Sequence, residues 1–268
     1  MPEGHSLHRL AGQLVELVGY PVAATSPQGR FDPTPVDGAT VTDVQAYGKH
    51  LLVALRQAQG AELSVHVHLG MRGKWLRFSP VTGPGLKQVR LRLARMTDGG
   101  PDVAWDLIAP STCELLEPDR REALLATLGP DPLRPDADAG EARRRLQAHP
   151  GSVGAALMDQ SVIAGVGNVY RAEILHARGI APDRPARQVG DQEFDSLWLE
   201  LQAMMTQGVQ DGRIITVPAP LGGSRTDVPE ERSRRVYKQA ACHDCGTSVV
   251  TSTIAGRTSY ACPRCQPA

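Results

Sequence analysis

The residues best suited to chemistry lie at the two ends of the chain. Cys242, Cys245, Cys262 and Cys265 form C-x2-C-x16-C-x2-C. Each pair can place two thiolates on one side of a tight turn, and two pairs complete a closed tetrahedral site for one zinc ion. Two redox pairs are the competing reading, but no strand–helix–strand context of thioredoxin type surrounds them. A disulfide framework would need an oxidising compartment, for which the sequence gives no sign. Zinc is therefore the expected cofactor. It is structural, because four thiolates leave no open position, and a module this small needs the metal to fold. Cys113 stands apart as an expected free thiol.

At the other end stands Met1-Pro2-Glu3. Initiator methionine is removed readily before a small residue, which leaves Pro2 with a free secondary amine. An α-amino group titrates at about 7.7–8.0, far below lysine, so much of it is neutral near pH 7. A neutral amine can attack C1′ of a sugar and form a Schiff base. With proline the product is an iminium, cationic at any pH, and the Glu3 carboxylate can handle protons beside it. Taken alone, a proline after a start codon carries no information.

Two further positions suit a phosphate. In the segment DQSVIAGVGNVYRAEILHARGI, Gly165 and Gly167 break two apolar stretches and Asn168 sits where a helix N-cap is expected. Exposed amides at such a helix start suit an anion, and a structural helix hairpin explains them as well. Arg257 follows Ala255-Gly256 at the tip of the hairpin expected between the cysteine pairs. It reads either as a solvated turn residue or as a phosphate clamp.

The elements that must position these residues follow from periodicity. Residues 3 to about 18 read as an amphipathic helix through Leu7, Leu10, Leu14 and Leu17. From about Val22 to Leu116 the pattern changes to alternation, as in Leu63, Val65, Val67 and Leu69 against Ser64, His66 and His68, which predicts strands with one buried and one polar face. The fold class is α+β: an N-terminal helix-capped antiparallel β-sandwich, a C-terminal helical domain and a zinc-ribbon hairpin. The expected organisation is 1–117 for the sandwich, 118–138 for a Pro/Asp-rich linker, 139–215 for the helices, 216–235 for a polar mobile loop and 236–268 for the cysteine module.

Composition narrows the setting. No apolar run approaches the roughly 20 residues that span a bilayer, and MPEGHSLHRL lacks the form of a secretory signal, so the expectation is cytoplasmic, without a membrane partner. Lys plus Arg and Asp plus Glu both total 29. No global field attracts nucleic acid, and only a mild local excess, seven basic against four acidic residues, marks Ser224 to Ala268.

Taken in order, PEG, YGKHLL, HLGMRG, LGPDPL, DQSVIAGVGNVYRAEIL and GRTSYACPRCQ resemble the formamidopyrimidine-DNA glycosylase and endonuclease VIII family along nearly the whole chain. The resemblance implies a β-sandwich joined to a helix–two-turn–helix domain that carries the zinc finger, with DNA in the cleft between them. It implies a bifunctional DNA glycosylase and abasic-site lyase of base excision repair, acting as a monomer on double-stranded DNA with a damaged base or an abasic site, nucleoid-associated in a bacterial cell. Residue by residue, Pro2 becomes the nucleophile and Glu3 the general acid/base. Lys49 becomes a strand lysine on phosphate, Asn168 and Arg257 become clamps flanking the lesion, and Lys49 and Arg257 both serve the catalytic set. Met71, with Arg72 beside it, becomes the wedge that fills the gap left by the flipped base, and 216–235 the lesion-capping loop. The chain departs from the family at His5 and Ser6, which stand where a proline and a second glutamate are usual. Ile108-Ala109-Pro110-Ser111-Thr112 replaces the Arg-Arg-Phe segment of the formamidopyrimidine enzymes, as in the endonuclease VIII branch. Oxidised pyrimidines are therefore the expected preferred lesions. The competing readings are a non-catalytic zinc-ribbon nucleic-acid-binding protein and a redox or metal-handling protein.

Overall fold

Leucines at three- and four-residue spacing give the N-terminal segment one apolar stripe. The computed structural model describes residues 2–267, in which this stripe forms helix α1 (Gly4–Leu14) followed by a 3-10 turn to Leu17. Leu7, Leu14 and Leu17 are buried. Met1, whose removal the sequence predicts, lies outside the described residues. The chain forms two compact units, Pro2 with residues 7–126 and Glu3–Ser6 with residues 127–267.

In the first unit, alternation produces eight strands: β1 (Val22–Thr25), β2 (Thr40–Tyr47), β3 (His50–Arg56), β4 (Glu62–His68), β5 (Lys74–Phe78), β6 (Val89–Thr97), β7 (Gly100–Ile108) and β8 (Thr112–Leu116). They pair antiparallel in two four-stranded sheets, β1-β6-β7-β5 and β2-β3-β4-β8. One apolar cluster, including Leu51, Val53, Val65, Val67, Leu91, Leu93 and Trp105, joins both sheets to α1. The polar face expected on β4 is not solvated: Ser64 and His66 are both buried. Helix α2 (Pro118–Ala126) packs on β4 and β8 where the linker was expected to begin, and His66 is also held between His50 and Glu114.

The second unit holds α3 (Ala139–Ala148), α4 (Val153–Ala156), α5 (Asn168–Ala177) and α6 (Asp191–Asp211), then the hairpin of β9 (Val250–Ile254) and β10 (Arg257–Ala261). Ser152 caps α4 through the Ala155 amide, Asp138 caps α3 through that of Glu141, and left-handed Gly212 ends α6. Helix α5 has apolar residues on all sides and is buried from Asn168 to His176. Residues 216–235, expected to be mobile, are tied to the end of α6 and to each other. Arg225 Nε donates to Asp211, Arg213 Nη2 donates to the Thr226 carbonyl at 2.8 Å, and the Thr216 amide donates to the Ser233 carbonyl. Among the described residues, no helix is long and apolar enough to cross a membrane.

The sandwich also buries a charge pair, Arg92 Nε and Nη2 on Asp106 Oδ1 and Oδ2 at 2.6 and 2.9 Å, with Asp106 1% exposed. Removing one partner of a buried pair strands the other charge, at about 3–5 kcal/mol, whereas an apolar pair of similar volume is far cheaper. Asp106→Ala is thus expected to lower stability to urea by that amount. Arg92→Met combined with Asp106→Leu is expected to recover most of it. Equal losses for the single and double variants would show that the stranded charge is not the source of the cost.

Candidate active site

Glu3 is the centre of the second unit's polar architecture. Its carboxylate is 1% exposed and sits at the amino terminus of α5, where it accepts from the amides of Gly167 (3.0 Å) and Tyr170 (3.3 Å) through Oε2 and of Val169 (2.8 Å) through Oε1. A helix start leaves such amides unpaired and carries the positive end of the helix dipole, so it complements a carboxylate. The sequence placed Asn168 at the N-cap, but Gly167 occupies that position and Asn168 begins the helix. Glycine is required there for space: a Cβ at Gly167 would overlap the Glu3 carboxyl group. The next residue is pinned too, because the Gly4 amide donates to the Gly165 carbonyl at 2.9 Å. Gln160 fastens the turn between α4 and α5, accepting from the Gly165 amide and donating to the Val166 carbonyl.

His5 follows, 3% exposed, its ring edge-on to Tyr170 at 5.4 Å and its Nε2 3.1 Å from Ser6 Oγ. Burial, aided by the positive charge of Arg234, lowers its pKa to about 4, so the imidazole is neutral at pH 7. Burial raises the Tyr170 phenol. Both side chains therefore stay uncharged beside Glu3.

Sequence reasoning missed three ionisable residues on α5. Arg171, fully buried, donates to the carbonyls of Thr258 (2.9 Å) and Ile254 (3.3 Å) and to Asn168 Oδ1, while Asn168 Nδ2 donates to Thr258 at 3.0 Å. These bonds seat the β9–β10 hairpin on the helix. Arg257 is exposed and begins β10, one place beyond the two-residue turn Ala255-Gly256, in which both residues have positive φ, 51° and 67°. Glu173, also fully buried, accepts from the amides of Arg235, Val236 and Tyr237 and from the Thr216 hydroxyl. His176 Nε2 lies 3.2 Å from Cys242 Sγ, and burial lowers its pKa. The available signal was Arg171 and Glu173 set within a helix apolar on every side, which demands buried partners.

The four cysteines come together. Their Sγ atoms all lie within 4.8 Å of one another, with Cys245 3.5 Å from both Cys262 and Cys265, and Cys242 4.0 Å from Cys265. Four sulfurs at about 2.3 Å from one ion in tetrahedral array stand about 3.8 Å apart, so the cluster fits a single thiolate-bound metal. Cys113 is a separate free thiol, pushed up to about 12 by burial.

The remaining predicted residues belong to the first unit. Lys49 is not on a strand: Gly48-Lys49 is the two-residue turn joining β2 to β3, with Gly48 at φ 57°. Beside it His50 Nδ1 lies 2.8 Å from His66 Nε2, and His66 Nδ1 lies 2.9 Å from Glu114. Burial and the neighbouring His66, His68 and Lys49 lower His50 to about 4. Met71 is 69% exposed on a turn with exposed Arg72. Both flanking glycines are sterically required, since a Cβ at Gly70 would meet Ser111 and one at Gly73 would overlap the Leu69 carbonyl. Pro2 is half-buried.

The chain matches known proteins along its length. Residues 1–105 match the formamidopyrimidine-DNA glycosylase N-terminal domain and residues 128–219 the formamidopyrimidine-DNA glycosylase H2TH domain. It is 39% identical to endonuclease 8 1 of Mycobacterium tuberculosis, covering 99% of this chain and 100% of that one. It is 32% identical to a formamidopyrimidine-DNA glycosylase of Magnetococcus marinus, covering 92% and 91%. The fold is similar to that of Lactococcus lactis Fpg in complex with DNA containing N7-benzyl-Fapy-dG, with TM-score 0.79, 22% identity and full coverage of both chains.

The Glu3 seat makes a steric prediction. Gly167→Ala is expected to cost about 1–3 kcal/mol by overpacking, read from urea denaturation. Gly12→Ala, on an open face of α1 where an added Cβ meets nothing within 4 Å, is expected to be neutral or stabilising by up to about 1 kcal/mol. An unperturbed Gly167→Ala protein would mean that the carboxylate does not sit where described.

Proposed function

The chain belongs to the formamidopyrimidine-DNA glycosylase family, and from that premise we propose that it is a bifunctional DNA glycosylase and abasic-site lyase whose nucleophile is the Pro2 amine. One observation carries this reading: the residue next to Pro2 is a carboxylate locked onto the start of α5. A chain terminus ordinarily frays. Here the amine is one residue from an anchored side chain, which restricts where it can go.

In this mechanism the Pro2 amine attacks C1′ of the damaged nucleotide as the base departs, and Glu3 manages the protons at the sugar. The resulting iminium draws electrons from the sugar and acidifies the C2′ proton. Its loss breaks the 3′ C–O bond by β-elimination, and a second elimination releases the sugar from the 5′ phosphate. The nucleotide must first leave the stack, which costs a few kcal/mol and least for a poorly paired base. Met71, exposed and braced by two glycines, fills the gap, with Arg72 beside it. Lys49, Asn168 and Arg257 hold phosphates, Asn168 through the second hydrogen of its Nδ2. These contacts set register without reading sequence.

The metal in the cysteine cluster is zinc in this reading, bound by Cys242, Cys245, Cys262 and Cys265. When bound it supplies folding energy to the hairpin that carries Arg257 and takes no part in the reaction. The enzyme works as a monomer on double-stranded DNA, cytoplasmic and associated with the nucleoid.

The preferred lesions are oxidised pyrimidines. The turn from β7 to β8, Ala109-Pro110-Ser111, carries neither a guanidinium nor an aromatic ring. A turn without a donor fork cannot demand cytosine opposite the lesion, since discrimination of about 1–3 kcal/mol comes from bidentate contacts. Single-turnover rates are expected to be higher for thymine glycol opposite adenine than for 8-oxoguanine opposite cytosine. The reverse order would refute the preference without touching the mechanism.

The nucleophile is tested by borohydride. Reduction is expected to trap a covalent adduct between Pro2 and abasic-site DNA, and any residue retained before Pro2 is expected to abolish it while DNA affinity stays nearly unchanged. Glu3→Gln is expected to impair base excision far more than cleavage of a preformed abasic site. An adduct that maps to a lysine would overturn the assignment.

The proposed cationic clamps are tested by salt. Lys49→Ala and Arg257→Ala are each expected to lower the slope of log K against log salt by about one. Unchanged slopes would remove both residues from the proposed phosphate contacts.

A further inference from the structure

We infer that His176 is the hydrogen-bond donor that ties the metal-bound Cys242 thiolate to helix α5, and so is a positioning residue for the whole cysteine module. The inference rests on the zinc reading above. Nε2 of His176 and Sγ of Cys242 are 3.2 Å apart, and both residues are buried. A metal-bound thiolate carries no proton. The hydrogen between the two atoms therefore belongs to the imidazole, and Nε2 donates.

Among the described residues, no hydrogen-bond acceptor holds that proton at Nδ1 of His176, which is buried without a partner. The Asp244 carboxylate is 3.9 Å away, beyond hydrogen-bond reach, and its Oδ2 is held by Arg235 Nη1 at 2.6 Å. Four thiolates around one divalent cation leave an excess of two negative charges, and an N–H aimed at sulfur offsets part of it without occupying a coordination position.

The placement gives this bond a mechanical role. Asn168 and Arg171 hold the backbone of the β9–β10 hairpin from the start of α5. Gln266 bridges the Cys262 amide to the Ile180 carbonyl just past its end. Thr247 lies 3.3 Å from Cys245 Sγ but belongs to the same knuckle as that cysteine. His176 reaches a ligating sulfur from outside the module, and so couples the metal to the helix whose start seats Glu3.

The test uses the full-length protein loaded with zinc. Zinc per chain is measured first on the wild type, and its absence would overturn the zinc reading and this inference together, before any variant is made. His176→Phe keeps a ring without a donor, and His176→Gln restores an N–H. Against a chromogenic chelator, the Phe variant is expected to hold zinc about 10- to 100-fold more weakly, with Gln recovering most of the loss. In cobalt-substituted protein the sulfur-to-metal charge-transfer band is expected to shift to lower energy in His176→Phe and to return with Gln, a change that loss of packing alone would not produce. Wild-type retention and an unshifted band in His176→Phe would overturn the inference. Should that variant not fold, long-range 1H–15N spectra of the wild-type zinc protein decide: an Nε2–H tautomer supports the bond and an Nδ1–H tautomer rules it out.

Discussion

The interaction on which the second unit depends is a carboxylate at a helix start. Glu3 takes the amides of Gly167, Val169 and Tyr170 and is almost sealed from water. Hydrogen bonds to a charged group contribute about 1.5–3 kcal/mol each, and leaving such a group buried and unpaired costs more. Three such bonds on one side chain therefore define its position tightly. The neighbouring glycines follow from that seat, since Gly167 yields its Cβ space to the carboxyl and Gly4 lies against Gly165 and Met205. Gly208 likewise leaves room for the Tyr170 hydroxyl and His5. The proposed mechanism gives the chemistry to a terminal amine, and such an amine needs a terminus that does not wander. Anchoring Glu3, the residue next to Pro2, meets that need.

The same helix organises what lies beyond it. Its start receives Glu3, Asn168 and Arg171 carry the β9–β10 hairpin, Glu173 gathers the amides of residues 235–237, and His176 meets the cysteine cluster. Buried charges of this kind add little net stability compared with apolar replacements, but each fixes a geometry, because any other arrangement would leave the charge unpaired. Segments with few apolar anchors of their own, the polar loop and the cysteine hairpin, thereby gain defined positions.

Much of this was legible in the sequence and some was not, for identifiable reasons. The cysteine spacing, the leucine stripe of α1 and the alternating strands are local signals, and each produced the element expected of it. The exposed turn of Met71 was legible because two glycines flank it. Lys49 and Arg257 were assigned to the right hairpins, but Lys49 occupies the turn itself and Arg257 the strand beside one, since turn boundaries depend on backbone angles that composition does not specify. The burial of Ser64 and His66 was not legible, because it depends on what packs against β4: the neighbouring His50 and Glu114, and α2, a helix with little apolar periodicity of its own. The anchoring of residues 216–235 was also hidden: its prolines and charges read as mobility, while the restraint comes from Glu173, Arg213 and Arg225.

A formal net charge of zero is compatible with a DNA enzyme once the proposed cations are considered one at a time. Affinity for phosphate scales with the number of contacts that release counterions, not with the total charge of the protein. A few cations suffice if each is held at a fixed place. Lys49 on a two-residue turn and Arg257 beside another lose little freedom on binding, because their backbones are already confined by strand pairing on both sides. The carboxylates elsewhere are then harmless. Many of them are already engaged with arginines, as in Glu16 with Arg77 and Asp102 with Arg95. Internal pairing of this kind neutralises much of the surface charge, so the grip proposed on backbone phosphates rests on single, well-placed cations and reads no sequence, which is what an enzyme that must find damage anywhere requires.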